Sequence, residues 1–278
     1  MMGKMKEIKS KPQLHYSALN MLFRCGEQFR RRYIENQIIP PGVALIIGQA
    51  TDHTVNKNLQ HKIDTKGELL TIEEIEDIAR DQVNNMFQSE VHLDDDEIES
   101  GISAIKGKTI DMAVALSGLH ARELAPVIQP THIQRQWVIE LDGYPVDLAG
   151  TIDIQEGEQS IRDTKTKGKS PVADEAEKSD QLTMYAMAVK VFDGKIPDHV
   201  YLDFLIKNKT PIVKTLSSVR TEEDFKPLLA RVERAIMAME KEIYLPANSD
   251  WWGCGIRFCG YAASCKYFSG HHRDVRLC

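Results

Sequence analysis

The stretch Gly150-Thr-Ile-Asp153-Ile, followed after a short turn by Ile161-Arg-Asp163-Thr-Lys165-Thr, decides the fold and the chemistry. Both halves have the two-residue periodicity of β-strands, so residues two apart share a face. Asp163 and Lys165 therefore point the same way, and Asp153 on the preceding strand can lie beside them. Two carboxylates can hold a hard divalent cation such as Mg²⁺ or Mn²⁺, and a lysine beside them can position or activate a water for attack on phosphorus.

A helix predicted at residues 174–192 follows these strands and carries two further polar candidates. Gln181 and Tyr185 lie one helical turn apart and therefore share a face. By residue type alone, they also fit a solvated glutamine and an ordinary amphipathic tyrosine. Their place directly after the Asp-x-Lys strand makes them candidates for the same site.

The rest of the chain has helical patterns first and strand patterns after Pro130. A first helix is expected to begin at Ser17, and Thr71-Ile-Glu-Glu74 has the form of a capping box. Asp142-Gly143 predicts a two-residue hairpin turn. The expected fold class is α/β, or mixed α+β, with a central mixed sheet flanked by helices. The other predicted helices are residues 43–62, 71–88, 98–124 and 221–244, and the predicted strands are residues 133–141, 146–154, 160–166, 200–207 and 211–216.

The composition is that of an ordinary globular protein: 278 residues, 42% of them hydrophobic and 27% charged. Disordered and fibrous classes are therefore excluded. Lys and Arg number 35 against 41 Asp and Glu, a formal net charge of −6, so any nucleic-acid site has to be local. No apolar run has the length of a signal-peptide core or a membrane span, so we expect an intracellular, cytoplasmic protein without a membrane partner.

Three short motifs together resemble the PD-(D/E)XK nuclease superfamily: Gly150-x-x-Asp153, Asp163-x-Lys165 and Gln181-x-x-x-Tyr185. Within it they are similar to the RecB-type branch with iron–sulfur cysteines, which includes CRISPR-adaptation nucleases and phage exonucleases. The resemblance runs from about residue 16 to residue 266. It implies a restriction-endonuclease-like core with the metal at the sheet edge.

The same resemblance assigns roles to the motif residues. Asp153 and Asp163 would be ligands of Mg²⁺ or Mn²⁺, and Lys165 would be the catalytic lysine. Gln181 and Tyr185 would contact the substrate or orient the active site. The chain would then divide into a helical part (residues 1–130), a nuclease core (residues 131–245) and a Cys-rich C-terminal segment (residues 246–278), together one compact catalytic unit.

One element departs from the family pattern, which has Gly-x-x-x-His at the start of the second helix with the histidine as a further metal ligand. Here Gly48-Gln-Ala-Thr-Asp52-His53 places Asp52 at the ligand spacing and His53 one residue later. Adjacent helical residues point about 100° apart, so both cannot occupy one position. Either Asp52 is the ligand, or the helix start is shifted by one residue and His53 is.

The cysteines form a second constellation. Cys25 lies near the start of the chain, whereas Cys254, Cys259 and Cys265 lie near its end. Family members with iron–sulfur clusters have one cysteine in the first helix and three near the C-terminus, which implies a [4Fe–4S] cluster here. Thiolates bind zinc as readily, so Zn²⁺ is the alternative. The fifth cysteine, Cys278, is expected to be a free thiol.

The resulting expectation is a metal-dependent DNA nuclease, and more narrowly an exonuclease, acting in recombination, repair or phage DNA processing. Its partner would be DNA with single strands or free ends, alongside recombination or helicase proteins. Two alternatives stay open: a CRISPR-adaptation nuclease that trims captured DNA, and a non-catalytic DNA-binding module with structural zinc. Residues 101–109 have five residues between their glycines where a phosphate-binding loop has four, so no nucleotide-driven motor is expected.

Overall fold

The computed structural model describes residues 11–248, 250–256 and 258–268. Within these ranges, none of the helices combines the length and the apolar character that crossing a membrane requires. Two short irregular helices add to the regular ones, a π-helix at Arg30–Ile34 and a 3₁₀ turn at Ala262–Ser264. The α-helices are Tyr16–Arg24 (α1), Gly26–Phe29 (α2), Val43–Asp64 (α3), Ile72–Met86 (α4), Asp95–Ser100 (α5), Ile102–Glu123 (α6), Asp180–Asp193 (α7) and Glu222–Glu240 (α8).

The strands form one six-stranded mixed sheet, which confirms the predicted fold class. Its order is β1-β3-β4-β5-β6, and β2 pairs with the other edge of β3. The pairs β1–β3 and β4–β5 are parallel, whereas β2–β3, β3–β4 and β5–β6 are antiparallel. The strands are Gln13–His15 (β1), His132–Ile139 (β2), Asp147–Glu156 (β3), Ser160–Lys167 (β4), His199–Ile206 (β5) and Ile212–Ser218 (β6).

Apolar residues cover both faces of this sheet. One core contains Ile152, Ile161 and Phe204 from the strands together with residues of α1, α7 and α8. On the opposite face, Ile154 and Leu205 pack against residues of α3 and α6. Burying apolar side chains on both faces fixes the helices against the sheet, so polar residues at the helix ends are held at defined places.

Several predicted boundaries need correction. The first helix is interrupted at Cys25, which is extended with φ −159° and separates α1 from α2. The helix predicted at residues 98–124 is two helices, α5 and α6, because Gly101 between them has φ 80°, which right-handed helices do not allow. The predicted two-residue hairpin at Asp142-Gly143 is wrong: β2 ends at Ile139 and β3 begins only at Asp147.

Helix α7 begins later than predicted, at Asp180 rather than at residue 174. The Ser179 side chain caps it by accepting a hydrogen bond from the Leu182 amide. The distant Arg220 guanidinium donates to the carbonyl of Ala176 at 2.7 Å and to that of Ser179 at 3.3 Å. Arg220 thus holds the turn before α7, and the Ser179 carbonyl also accepts the first backbone hydrogen bond of the helix, from the Thr183 amide at 3.1 Å.

The middle of the β2–β3 pair carries a sharp local distortion. Ile152 and Ile154 both pair with β2, but Asp153 between them and Gln134 opposite it are skipped in the register. Gln134 has φ 52°, a left-handed conformation that is rare for residues with a side chain. Ile152 packs in the core beneath α7 and Ile154 in the core beneath α3 and α6, so the simple alternation predicted for this strand is interrupted at Asp153.

Candidate functional site

Asp163 and Lys165 share a face of β4, as their spacing predicts, and they are in contact. The Nζ atom of Lys165 lies 2.9 Å from Oδ1 and 2.8 Å from Oδ2 of Asp163, whose side chain is fully buried. The paired residues of β3 and β4 end at Ile154 opposite Arg162. Asp153 and Asp163 come next on their strands and therefore lie where the two strands part.

Helix α7 brings the predicted pair to this centre. The Nε2 atom of Gln181 donates to Asp163 Oδ1 at 3.1 Å and to the hydroxyl oxygen of Tyr185 at 2.7 Å. Burial and the neighbouring charges of Asp153 and Asp163 raise the pKa of Tyr185, so its hydroxyl keeps its proton at neutral pH. Gln181 thus fixes the orientation of the Asp163 carboxylate.

Two glycines allow strand β3 and helix α3 to pack closely against their neighbours at the site. A Cβ atom on Gly150 would lie 2.5 Å from the ring of Trp137, so only glycine lets β3 pass this indole. On α3, a Cβ on Gly48 would lie 3.3 Å from Oγ1 of Thr166 on β4. This approach brings the helical turn that carries Asp52 toward the end of β4.

Asp52 interacts electrostatically with the other two carboxyl groups, Asp153 and Asp163. Burial and the charge of Asp163 raise its pKa to about 6, although Lys165 and a hydrogen bond from Asn56 act in the opposite direction. The pKa of Asp153 is also raised, by burial and then by Asp163 and Asp52. Burial opposes the charged form of Lys165, but Asp163 and Asp153 outweigh it and raise the pKa of the ammonium. Three carboxylates thus compete for one cation.

His53 occupies a different electrostatic environment from Asp52. Burial and the charge of Lys57 lower its pKa, and none of the three carboxylates is among the causes. Its side chain lines an open cleft together with Asp52. His53 is therefore neutral at pH 7 and is turned toward the cleft.

The carboxylates do not form a preassembled metal cage. Among the residues that the structure describes, no group of three or more His, Cys, Asp or Glu side chains has an arrangement that holds a metal ion. Lys165 explains this for Asp163, because its ammonium contacts both carboxylate oxygens. The donor set of three carboxyl groups is nevertheless of the type that Mg²⁺ and Mn²⁺ prefer.

Comparison with known proteins identifies the family. The sequence profile of the PD-(D/E)XK nuclease superfamily matches residues 13–266. The chain belongs to this superfamily. It is therefore a nuclease, a hydrolase that acts on nucleic acids, and its relatives generally use Mg²⁺ or Mn²⁺.

A solved structure has a fold similar to that of this nuclease. A crystal structure described as "Putative exonuclease" from Eubacterium rectale matches with a TM-score of 0.57 and 13% identity, over 96% of this chain and 95% of that chain. The crystal structure of SSO0001 matches with a TM-score of 0.37 and 12% identity, over 94% and 89% of the two chains. No curated protein matches the sequence significantly.

One residue of the nuclease centre carries no signal in the sequence. Gln134 donates from Nε2 to Asp153 Oδ1 at 3.2 Å, and it is the residue in left-handed conformation opposite Asp153. A glutamine on a predicted strand resembles any other solvated residue. Its role depends on the kink of β2, which local sequence does not specify.

Two clefts flank the carboxylate centre of the nuclease. One, of about 610 Å³, includes Asp52 and Gln134. The other, of about 550 Å³, includes Lys165 and Gln181 and is bordered by basic residues of α1 and β4. A nucleic-acid strand that crosses the carboxylate centre can therefore extend into a cleft on either side.

The four candidate metal-binding cysteines are also brought together. Cys25, Cys254, Cys259 and Cys265 are free thiols that line one small pocket. Burial and then the charges of the other three raise the pKa of the Cys254 thiol. Cys278 lies outside the described residues.

Protein contacts alone already join the two ends of the nuclease at this pocket. Arg31 donates to Oγ of Ser264 at 2.8 Å and to its carbonyl oxygen at 2.9 Å. The hydroxyl of Tyr261 donates to the carbonyl oxygen of Gln37 at 2.5 Å, and Gln28 donates to the Cys259 sulfur at 3.0 Å. The C-terminal segment is thus fastened to the residues that follow α1, with or without a metal.

Proposed function

We propose that this nuclease is a divalent-metal-dependent deoxyribonuclease and that Asp52, Asp153 and Asp163 hold its Mg²⁺ or Mn²⁺. The observation that carries the proposal is the convergence of three carboxyl groups and Lys165 where β3 and β4 part. Burial and mutual repulsion raise the pKa values of Asp52 and Asp153, so a bound cation relieves an existing electrostatic cost. A hard oxygen-ligand set is what these cations require.

A cation held by these three carboxylates would supply charge compensation at the scissile phosphate and lower the pKa of the attacking water. The side chains of the nuclease do the remaining work. Lys165, whose raised pKa keeps it charged, donates hydrogen bonds to the developing negative charge and orients the water. Gln181 holds Asp163 in one orientation, and the neutral Tyr185 hydroxyl supports Gln181.

We further propose exonuclease action on DNA, in keeping with the exonuclease assignment of the Eubacterium rectale protein. The test uses end-labelled linear DNA and closed circular DNA, both single- and double-stranded, with Mg²⁺ or Mn²⁺ and with EDTA as the control. Linear DNA should be degraded from its ends and circles should persist. Rapid cutting of single-stranded circles would show endonuclease action, and tight DNA binding without cleavage in any metal would favour a non-catalytic binding module.

For the choice between Asp52 and His53, we expect Asp52→Ala to behave as a metal-ligand variant. Asp52 shares the electrostatic environment of Asp163, whereas His53 responds only to burial and Lys57. Asp52→Ala should raise the Mn²⁺ concentration needed for half-maximal cleavage at least about tenfold, and His53→Ala should leave it within about twofold. A metal titration of both variants decides. The opposite ranking would assign the ligand to His53.

We also propose that the four cysteines bind one thiolate-ligated metal centre, a [4Fe–4S] cluster with Zn²⁺ as the rival. The convergence of thiols from both ends of the chain on one pocket supports this proposal. Such a centre would be structural, because no catalytic candidate lines that pocket and hydrolysis needs no electron transfer.

Protein purified without oxygen is expected to be brown and to contain iron and sulfide in cluster ratio. Cys259→Ser should lose the colour and lower the melting temperature, while Arg31 and Tyr261 keep the C-terminal segment attached. Metal analysis and visible absorption provide the measurement, with protein purified in air for comparison. Colourless protein with one equivalent of zinc would show that the cysteines bind zinc and not an iron–sulfur cluster. Stable metal-free protein would contradict both metal centres.

A further inference from the structure

The cleft beside Asp52 is lined mainly by polar side chains. Its charged lining residues are one carboxylate and one ammonium, Asp52 and Lys57, and the imidazole of His53 also lines it. Two apolar residues, Met86 and Ile133, complete its wall. The remaining lining residues are amides, and we call this space the amide cleft: Gln49, Asn56, Gln60, Gln82 and Gln134.

The second cleft has more cationic side chains. Its lining includes the cations Arg24, Lys165, Lys167 and Lys178 and two carboxylates, Asp174 and Glu175, which pair with Lys178 and Lys167. Phosphate oxygens only accept hydrogen bonds and carry charge, so cationic donors suit them. Amide side chains both donate and accept, as the edges of nucleobases do. The two sides of the carboxylate centre therefore match different parts of a nucleic-acid strand.

Not all amides of the cleft are equally available. Gln60 donates to Asp64, Asn56 to Asp52 and Gln134 to Asp153. Within the described part of the chain, the side-chain amides of Gln49 and Gln82 make no hydrogen bond. Gln49 lies on α3 and Gln82 on α4, so the two available amides face the cleft from two separate helices.

The amide cleft is continuous with the proposed catalytic centre. Asp52 lines it directly, and Gln134 lines it while contacting Asp153 at 3.2 Å. A strand whose phosphate lies at Asp163 and Lys165 therefore places the adjacent nucleotide at the cleft. The volume of about 610 Å³ is that of a pocket for one small ligand.

We propose that the amide cleft binds the unpaired nucleobase of the nucleotide next to the scissile phosphate, with Gln49 and Gln82 as its hydrogen-bonding partners. This inference rests on the proposed nuclease centre and adds that a nucleobase of the substrate binds beside it. A paired base presents its Watson–Crick edge to its partner strand, so the base has to leave the duplex to enter. The substrate is then single-stranded at the position of cleavage.

The test measures binding and cleavage separately, with fluorescent single-stranded oligonucleotides that carry one abasic nucleotide at successive positions. Binding is measured by anisotropy in EDTA, and cleavage in Mn²⁺. For the wild type, an abasic nucleotide at one position should weaken binding about tenfold, the size expected for a lost amide–base contact. The penalty should persist at raised salt, because the cleft contributes little net charge.

Two variants make the test specific. The double variant Gln49→Ala, Gln82→Ala should bind normal and abasic oligonucleotides equally, at the affinity of the wild type for the abasic one. Gln88→Ala, an exposed glutamine outside the cleft, is the matched control and should keep the full difference. Equal binding of both oligonucleotides by the wild type, or a base effect unchanged in the double variant, would overturn the inference.

The experiment distinguishes failure of the proposed base site from failure of the proposed nuclease activity. Base-dependent binding that the double variant loses, without cleavage in any metal, would refute the proposed deoxyribonuclease activity and retain the base site. Cleavage of abasic and normal strands at the same rate, with equal binding, would retain the nuclease and refute the base site.

Discussion

Replacing Lys165 by alanine is expected to lower the cleavage rate at least about a thousandfold, because it removes the ammonium that faces both the carboxylates and the phosphate. Asp163→Ala should be equally damaging, since this residue organises Lys165 and Gln181 through direct contacts of 2.8–3.1 Å. Single-turnover cleavage of a labelled single strand in Mn²⁺ measures the loss. Anisotropy in EDTA should show nucleic-acid binding largely retained.

The double variant should be no slower than either single variant, because residues that act as one unit have non-additive effects. Lys169→Ala is the matched control: it removes an exposed lysine four residues further along the chain, which lines neither cleft. It should keep near-native turnover. If Lys165→Ala and Asp163→Ala both turned over at the native rate, the assignment of the catalytic centre to β4 would be wrong.

The parts of this fold that follow from local rules are present in the structure as the sequence predicts. Thr71 and Glu74 exchange both hydrogen bonds of a capping box, and α4 starts after them. The two-residue period of β4 places Asp163 and Lys165 on one face, where they meet. These features depend on a few neighbouring residues, so composition and spacing are sufficient to predict them.

The features that the sequence does not predict depend on partners far along the chain. β1 is three residues long and exists only because it pairs with β3, more than 130 residues later. The late start of α7 depends on Arg220. The kink at Gln134 positions Asp153. This kink depends on Ile152 and Ile154, which pack into the cores on opposite faces of the sheet.

One such long-range feature lies on the strand beside β4. Asp203 on β5 is fully buried, and Arg162, the neighbour of Asp163, donates to its Oδ2 at 3.0 Å. Thr215 donates to Asp203 Oδ1 at 2.5 Å, and the Arg162 guanidinium also binds Glu156 at 2.6 Å and stacks over Tyr201 at 4.1 Å from the ring centroid. Arg162 thus compensates buried negative charge on the face of the sheet opposite to Lys165.

Arg162→Met is therefore expected to lower the free energy of unfolding by about 3–5 kcal/mol, the cost of leaving a buried carboxylate unpaired. Burial already raises the pKa of Asp203 while Arg162 opposes the shift, so the loss should be larger at about pH 8, which favours the ionised carboxylate, than near its unfolded pKa of about 4. Urea unfolding at both pH values measures it. The double variant Arg162→Met, Asp203→Leu should recover much of the stability, because the unpaired carboxylate of Asp203 is then no longer buried. If Arg162→Met lowered the free energy of unfolding by less than about 1 kcal/mol at both pH values, Arg162 would not hold Asp203 as a charged group.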